Sequence, residues 1–352
     1  MILLLGGLAC GILAGAAAQS GRLCTMGAIE DAIVARDHRA AKAWALAAAV
    51  ALLGTQTLQW FGVLDLRESI FLAPQFDWLA ALAGGILFGF GMALAGTCSF
   101  GLLVRSGRGD LRAMVVAAII GIAAFAFTAG ALQPVRSLVA GHFAIDLEAW
   151  GGASLETAIT QTLGPGWSMA AAALIAIALA LPALLDRRVR RRLRLLVAAL
   201  GLGLAVIAGW TVNGISAQAL LEPSRVESLS FVAPVGRLLL QIMSEPVQYA
   251  SFGIASVGGV ALGAFLVAAW KDELRWEAFD DPREMRRHMI GGVLMGIGGV
   301  LARGCTIGQG MSAASALAYS APIVILGVII GANTGLALLL EGRPFWRLGT
   351  DR

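Results

Sequence analysis

Gly84-Gly85-Ile86-Leu87-Phe88-Gly89-Phe90-Gly91, followed by Gly96-Thr97-Cys98-Ser99-Phe100-Gly101, is the stretch that decides how this chain folds. It recurs without a gap at a constant offset of 207 residues, as Gly291-Gly292-Val293-Leu294-Met295-Gly296-Ile297-Gly298 and then Arg303-Gly304-Cys305-Thr306-Ile307-Gly308. A third, shorter copy lies 74 residues before the first: Gly11, Gly15, then Arg22-Leu23-Cys24-Thr25-Met26-Gly27. The shared core is a cysteine, then Ser or Thr, an apolar residue and glycine. Glycines spaced along an apolar helix let a second backbone approach closely. Glycines on either side of a cysteine let the chain break and turn. A unit used three times is a structural device rather than a chance cluster.

The surroundings of these stretches identify the solvent. Of 352 residues, 58% are hydrophobic and only 14% charged, and the mean hydropathy is +0.81. A soluble domain carries about a quarter charged residues, so lipid is the solvent here. Uncharged runs long enough to span a bilayer cover 1–21, 43–64, 78–104, 113–133, 164–185, 195–213, 246–270 and 321–340. The run 289–302, cut short by Arg303, is a ninth, completed by a re-entrant segment. The expected fold class is an all-α polytopic membrane protein of about nine transmembrane helices plus short re-entrant helices.

Charge placement sets the expected orientation. With nine spans and the N-terminus outside, the inward connections and the tail from Arg343 hold 21 of the 26 Lys and Arg. That satisfies the positive-inside rule. It predicts an inner-membrane protein with a periplasmic N-terminus and a cytoplasmic C-terminus. The run Arg187-Arg188-Val189-Arg190-Arg191-Arg192 reads as a topology anchor beside anionic membrane lipid. Cationic residues confined to short gaps argue against a nucleic-acid surface. No P-loop is present, which argues against direct ATP drive. The first 19 residues lack the basic start of a signal peptide and read as a retained helix.

Under this topology the helices before Cys98 and Cys305 run in opposite directions. The chain then divides into a first half, 1–133, a crossover region with a long loop, 134–194, and a second half, 195–352. Inverted repeats of this kind place a substrate site at their interface near the midplane. The sixth span lacks a matching cysteine, so the symmetry is incomplete.

The four cysteines form no C-x-x-C pair, which argues against a zinc ribbon or thioredoxin-type site. Cys10, outside the motif, reads as a packing residue. After Cys98 and Cys305 short half-helices are expected, each beginning at its Ser or Thr, which supplies an N-cap. The positive end of such a half-helix receives an anion without a buried cation. A neutral thiol is a weak, soft donor and suits a polarizable sulfur atom. The candidate pathway residues are therefore Cys24, Cys98 and Cys305, with Thr25, Ser99, Thr306, Gly304 and Gly308. Arg22 and Arg303 are candidates for anion steering. Glu30, Asp31 and Asp110 read as interfacial charges, and His38, His142 and His288 as loop residues that hold no metal.

At these residues the chain resembles the YeeE/YedE family of membrane proteins, which includes bacterial thiosulfate transporters. The resembling text is Gly21-Arg22-Leu23-Cys24, Gly96-Thr97-Cys98-Ser99-Phe100-Gly101 and Arg303-Gly304-Cys305-Thr306-Ile307-Gly308-Gln309-Gly310. The resemblance implies nine long spans and re-entrant helices in an hourglass shape with internal pseudo-symmetry. It implies thiosulfate uptake past three cysteines, roles that fall on Cys24, Cys98 and Cys305, with no enzymatic step and no cofactor. It also implies a TusA-like cytoplasmic sulfur carrier as a partner, for which the inward basic loops are the contact surface. Two other functions fit the same residues: a membrane sulfurtransferase carrying a cysteine persulfide, and transport of another sulfur or selenium compound. A metal ion is the weakest choice, because His, Met and Asp are scarce beside the motifs.

Overall fold

The computed structural model describes residues 1–141, 143–147, 152–220, 226–244 and 251–341. Nine helices of 18 residues or more carry the architecture among them. They are α1 (Ile2–Gly21), α3 (Arg39–Trp60), α4 (Trp78–Ala95), α6 (Leu111–Thr128), α9 (Pro165–Leu185), α11 (Leu193–Leu220), α13 (Phe252–Trp270), α14 (Pro282–Leu301) and α15 (Ser320–Glu341). Eight spans are apolar enough to cross a bilayer. The remaining long helix is α14, whose first turns carry Arg283, Glu284, Arg286 and Arg287. It begins seven residues before the apolar run read from the sequence, so charged turns extend the span.

Shorter elements fill the gaps: α2 (Thr25–Ile33), α5 (Ser99–Gly107), α7 (Gln133–Val139), α8 (Leu155–Leu163), α10 (Arg187–Arg190) and α12 (Ala233–Ser244). The long loop after residue 133 carries secondary structure. Besides α7 and α8 it contributes strand β2 (Ala144–Asp146), which pairs antiparallel with β1 (Gln75–Asp77). The run 78–104, read as one span, is two helices, α4 and α5, separated at Gly96. The short helix α12 was not foreseen; its charge at Arg237 and its length of 12 residues hid it from a search for spans. His142, Arg225, residues 245–250 at the start of the seventh expected span, and the tail from Arg343 lie outside the described residues.

Glycine contacts fix the helix directions. A Cβ on Gly7, Gly11 or Gly15 would strike the carbonyl oxygens of Phe252, Ser256 and Val260, at 2.2–2.4 Å. The constant separation along both helices means that α1 and α13 run parallel. Gly85 and Gly89 meet Val324 and Val328 in the same way, so α4 and α15 are parallel. Gly84 and Gly298 instead face each other's carbonyls at 2.7 Å, and so do Gly91 and Gly291 at 2.6 Å. One index rises as the other falls, so α4 and α14 are antiparallel. Gly291 and Gly298 are also the 207-residue equivalents of Gly84 and Gly91. The two contacts therefore interchange under a twofold relation between the repeats. Backbone approach this close is how helices associate in lipid, where no hydrophobic force drives them together.

These directions sort the ends. The loop after α5 pairs with the loop after α13, Leu111 N–H donating to Glu277 O (2.9 Å) and Arg275 N–H to Arg108 O (3.1 Å). The C-termini of α1, α4 and α13 and the N-terminus of α14 thus share one end, with Lys42 paired to Asp186 (2.5 Å) there too. This is the basic end. The N-terminus of α4 and the C-terminus of α14 lie at the opposite end. Asp110 stands at a span end, as read from the sequence, but is only 3% exposed: its carboxylate caps α6 by accepting Ala113 N–H (3.3 Å), and it pairs with Arg112. One expectation fails locally. His288 is not in a loop but inside α14, buried, with its ring 5.6 Å from that of Phe279.

Candidate functional site

The three cysteine motifs build the same turn. The residue two before each cysteine is left-handed: Arg22 at φ 52°, Gly96 at φ 70° and Arg303 at φ 53°. At the two arginines the helix closes with a six-residue Schellman bond, Leu23 N–H to Ala18 O (3.0 Å) and Gly304 N–H to Gly299 O (2.9 Å). Glycine takes this conformation freely, whereas arginine pays about 1–2 kcal/mol for it. Such strain persists only where the surroundings hold it.

The cysteine itself then starts the next helix. Cys24 and Cys98 are extended N-cap residues of α2 and α5. Their sulfurs accept the amide N–H three residues on, from Gly27 (3.5 Å) and Gly101 (3.4 Å). Cys305 Sγ accepts from Gly308 (3.3 Å) in the same way. The sequence reading placed the cap on Ser or Thr; the structure places it on the thiol, with Ser or Thr as the first helical residue. The glycine of the motif is explained by its position. It supplies the capping N–H, and at Gly101 and Gly308 an added Cβ would strike Thr97 Oγ1 at 2.1 Å and Ser230 Oγ at 2.8 Å. After Cys305 the helical residues 306–315 contain a π-helical stretch, Gly308–Ala313, a deformation frequent at functional sites.

The turns meet one another. Cys24 Sγ lies 3.4 Å from Thr97 Oγ1, and the Cys98 thiol donates to Thr25 Oγ1 at 3.7 Å. Each thiol of the pair touches a threonine beside the other. Cys98 also neighbours the Thr306 hydroxyl and lies within electrostatic range of both Cys24 and Cys305. Cys98 and Cys305 are each 1% exposed, while Cys24 is half-buried. The Ser99 hydroxyl is buried without a hydrogen-bond partner, and the Thr306 hydroxyl is buried against Cys98. An unmet buried hydroxyl costs about 1–3 kcal/mol, which packing alone does not repay. The first two amides of each half-helix likewise have no carbonyl within the helix.

A cavity approaches this cluster from each end. At the basic end a vestibule of about 460 Å³ is lined by Cys24 and Thr97 and by Arg22, Arg105, Arg108 and Glu273. At the opposite end a cavity of about 170 Å³ is lined by Asp77, Arg136, Arg303 and Ser320. Neither of these cavities is lined by Cys98 or Cys305. The Phe100 and Phe231 rings are buried 5.1 Å apart, the first within the Cys98 motif and the second next in sequence to Ser230. Arg22 donates to Glu273 at 3.1 Å and is 80% exposed. Arg303, at the end opposite the basic one, makes no ion pair among the described residues.

Residues 20–334 match the sulphur-transport family. The chain belongs to the YeeE/YedE sulphur-transport family. It is 27% identical over 361 residues to the thiosulfate transporter TsuA of Escherichia coli strain K12, covering 97% of this chain and 96% of that protein. It is also 27% identical over 349 residues to the protein of the same name from Spirochaeta thermophila, covering 96% of this chain and 99% of that one. This is a multi-pass membrane protein of a transporter family.

For this YeeE/YedE chain, the sequence-derived candidates fall into two groups. Cys24, Thr25, Cys98, Ser99, Cys305 and Thr306 lie at the meeting turns, with Gly304 and Gly308 shaping the third turn. Arg22 and Arg303 stand apart, at the two cavities. Cys10 is buried on α1, as expected of a packing residue. Three contributors escaped notice. Thr97 was part of a quoted motif but was read only as a neighbour of Cys98. Gln309 donates to Ala302 O (2.8 Å) and accepts from Ser320 (3.0 Å), tying the third turn to α15. Ser230 lies against Gly308, 2.8 Å from where a Cβ would stand. It comes from the segment before α12, which no motif marked.

Proposed function

We propose that this chain is an uptake transporter for thiosulfate and that the anion passes along the three cysteine turns. Both relatives are named thiosulfate transporters, which supports the substrate. The observation that carries the route is the reciprocal contact of Cys24 with Thr97 and of Cys98 with Thr25, with Thr306 beside Cys98. The anion moves from Cys305 and Thr306 to Cys98 and Ser99, then to Cys24 and Thr25. Neutral thiols donate weakly to the terminal sulfur, the hydroxyls of Ser99 and Thr306 donate to the oxygens, and the half-helix amides offset the charge. Gly304 and Gly308 give the third turn its shape. Because Cys98 and Cys305 line neither cavity, passage requires a rearrangement between the two.

In this reading residues 1–133 and 195–352 are the two repeat halves and 134–194 joins them. The N-terminus is periplasmic, the C-terminus cytoplasmic, and the protein sits in the bacterial inner membrane. The arginine run 187–192 lies against anionic lipid, and the basic vestibule faces a TusA-like carrier that takes the anion onward. The protein performs no covalent chemistry.

Uptake of radiolabelled thiosulfate by cells producing Cys98→Ala or Cys305→Ala should fall about tenfold or more, one lost contact per step being worth ~1.4 kcal/mol. Cys10→Ala should keep wild-type uptake. Unchanged uptake by Cys305→Ala at normal expression sinks the route. Mass spectrometry after thiosulfate exposure should find all cysteines unmodified. A persulfide adduct would replace transport with a sulfurtransferase reading.

A further inference from the structure

The outer cavity contains a group that the cysteine route does not use. Arg136 stands on α7, in the loop that β2 anchors to β1, and its Nε is buried without a hydrogen-bond partner. It lines the same cavity as Arg303. The carboxylate there, Asp77, is occupied by backbone. Its Oδ1 accepts Ala80 N–H at 2.9 Å, capping α4, and its Oδ2 accepts Gly141 N–H at 2.6 Å, holding the loop over the cavity. Asp77 exerts a field on Arg303 but makes a salt bridge to neither arginine among the described residues.

Arg136 is half-buried, yet a guanidinium N–H buried without a partner is expensive, and arginine next to apolar helices ordinarily has one. The bland account is that Arg136 answers the C-terminal dipole of α7. That helix is seven residues long, and a dipole acts on exposed charge with a few tenths of a kcal/mol. It does not explain a buried, unmet Nε. Arg303 is in the left-handed region, where the equivalent Gly96 needs no compensation. Two arginines, one spent carboxylate and about 170 Å³ of space, several water volumes, are the components of a binding site for a small doubly charged anion.

We propose that Arg136 and Arg303 form an anion-docking site at the mouth opposite the basic end, taking a dianionic oxyanion by charge before the thiols test it for sulfur. The inference rests on the transport reading above, and it assigns Arg136 a role in substrate capture. A guanidinium presents paired N–H donors to oxyanions, so the site accepts sulfate as readily as thiosulfate. Selection for sulfur then falls to the later turns.

The test uses the full chain, purified and reconstituted in liposomes. Arg136→Gln should raise the apparent KM for thiosulfate uptake about tenfold with Vmax retained, the signature of lost ground-state binding. It should also flatten the salt dependence of uptake at low substrate. Arg136→Lys should stay near wild type. An unchanged KM in Arg136→Gln, or a lower Vmax at unchanged KM, overturns the site. Equilibrium binding of sulfate and of thiosulfate to the purified protein separates this idea from the transport reading. Docking requires both anions to bind wild type and to lose about tenfold in Arg136→Gln, even if wild type carries neither across the bilayer. Equal affinities in the two proteins overturn docking, while uptake by wild type stands or falls on its own.

Discussion

The turns at Cys24 and Cys305 share a backbone path and differ in nearly everything that surrounds it. Both have an arginine in the left-handed region two residues before the cysteine, and both cap the next helix with sulfur. Yet Cys24 is half-buried at a vestibule, and its glycine, Gly27, has only ordinary contacts, with Cys24 Cβ at 3.6 Å. Cys305 is 1% exposed, and Gly308 is pressed on Ser230, with Oγ at 2.8 Å and Cβ at 3.2 Å from a notional methyl. One local device is thus used once in a loose setting and once in a tight one. The lesson is that the cysteine motif specifies conformation, whereas the neighbours decide how much each turn tolerates.

The largest expected difference follows from that packing. Gly308→Ala forces Ser230 aside and should cost about 1–3 kcal/mol, the usual price of overpacking. Gly27→Ala should change little, because its methyl meets nothing closer than ordinary contact. Apparent unfolding temperatures in detergent would check this. Adding Ser230→Ala to Gly308→Ala removes the 2.8 Å approach but not the 3.2 Å one, so it should restore part of the loss. Equal effects of the two alanines would mean that the turns are not differently packed.

Much of this was legible in the sequence, and the reasons are physical. The 207-residue repeat announced α4 and α14 as oppositely directed and the glycine spacing announced close backbone approach, but which helices meet became visible only in the structure. The thiols were found because the motif is local: turn, cap and first helical residue lie within six positions. What the sequence concealed was nonlocal or small. Which hydroxyl touches which thiol depends on how two turns dock, so Thr97 went unremarked. Asp110 looked like a surface charge because a single residue at a span end carries no sign of burial. The segment before α12 reaches Gly308 through chain that no periodicity marks.

The second contrast is electrostatic. Replacing either arginine by glycine keeps the left-handed turn and removes a charge, so the backbone contribution is common to both. Arg303→Gly should raise the KM for thiosulfate about tenfold, as the cavity it shares with Arg136 loses one of its two arginines. Arg22→Gly should change KM by less than about twofold, because its guanidinium is already engaged by Glu273 in an exposed pair of small worth. A larger effect at Arg22 than at Arg303 would reverse the assignment of the capturing end.

The smallest effect isolates that pair. The hydrogen bond from Arg22 is the main influence holding the Glu273 carboxyl below its ordinary 4.5, against the opposing pull of desolvation. A carboxylate whose folded pKa is depressed adds stability above its unfolded value and loses it as the pH falls through the folded value. Arg22→Gly forfeits that increment at neutral pH and gains from relief of the left-handed strain, so the two contributions oppose. As pH drops below the ordinary glutamate range, wild type loses the pair and the variant should become the more stable protein. Arg303→Gly carries the same backbone change without such a pair, so its difference from wild type should not acquire this acid-dependent component. Unfolding temperatures of both variants across pH 3–7 would decide. Parallel curves would mean that the Arg22–Glu273 contact contributes nothing, and that the turn at Cys24 is held by its backbone alone.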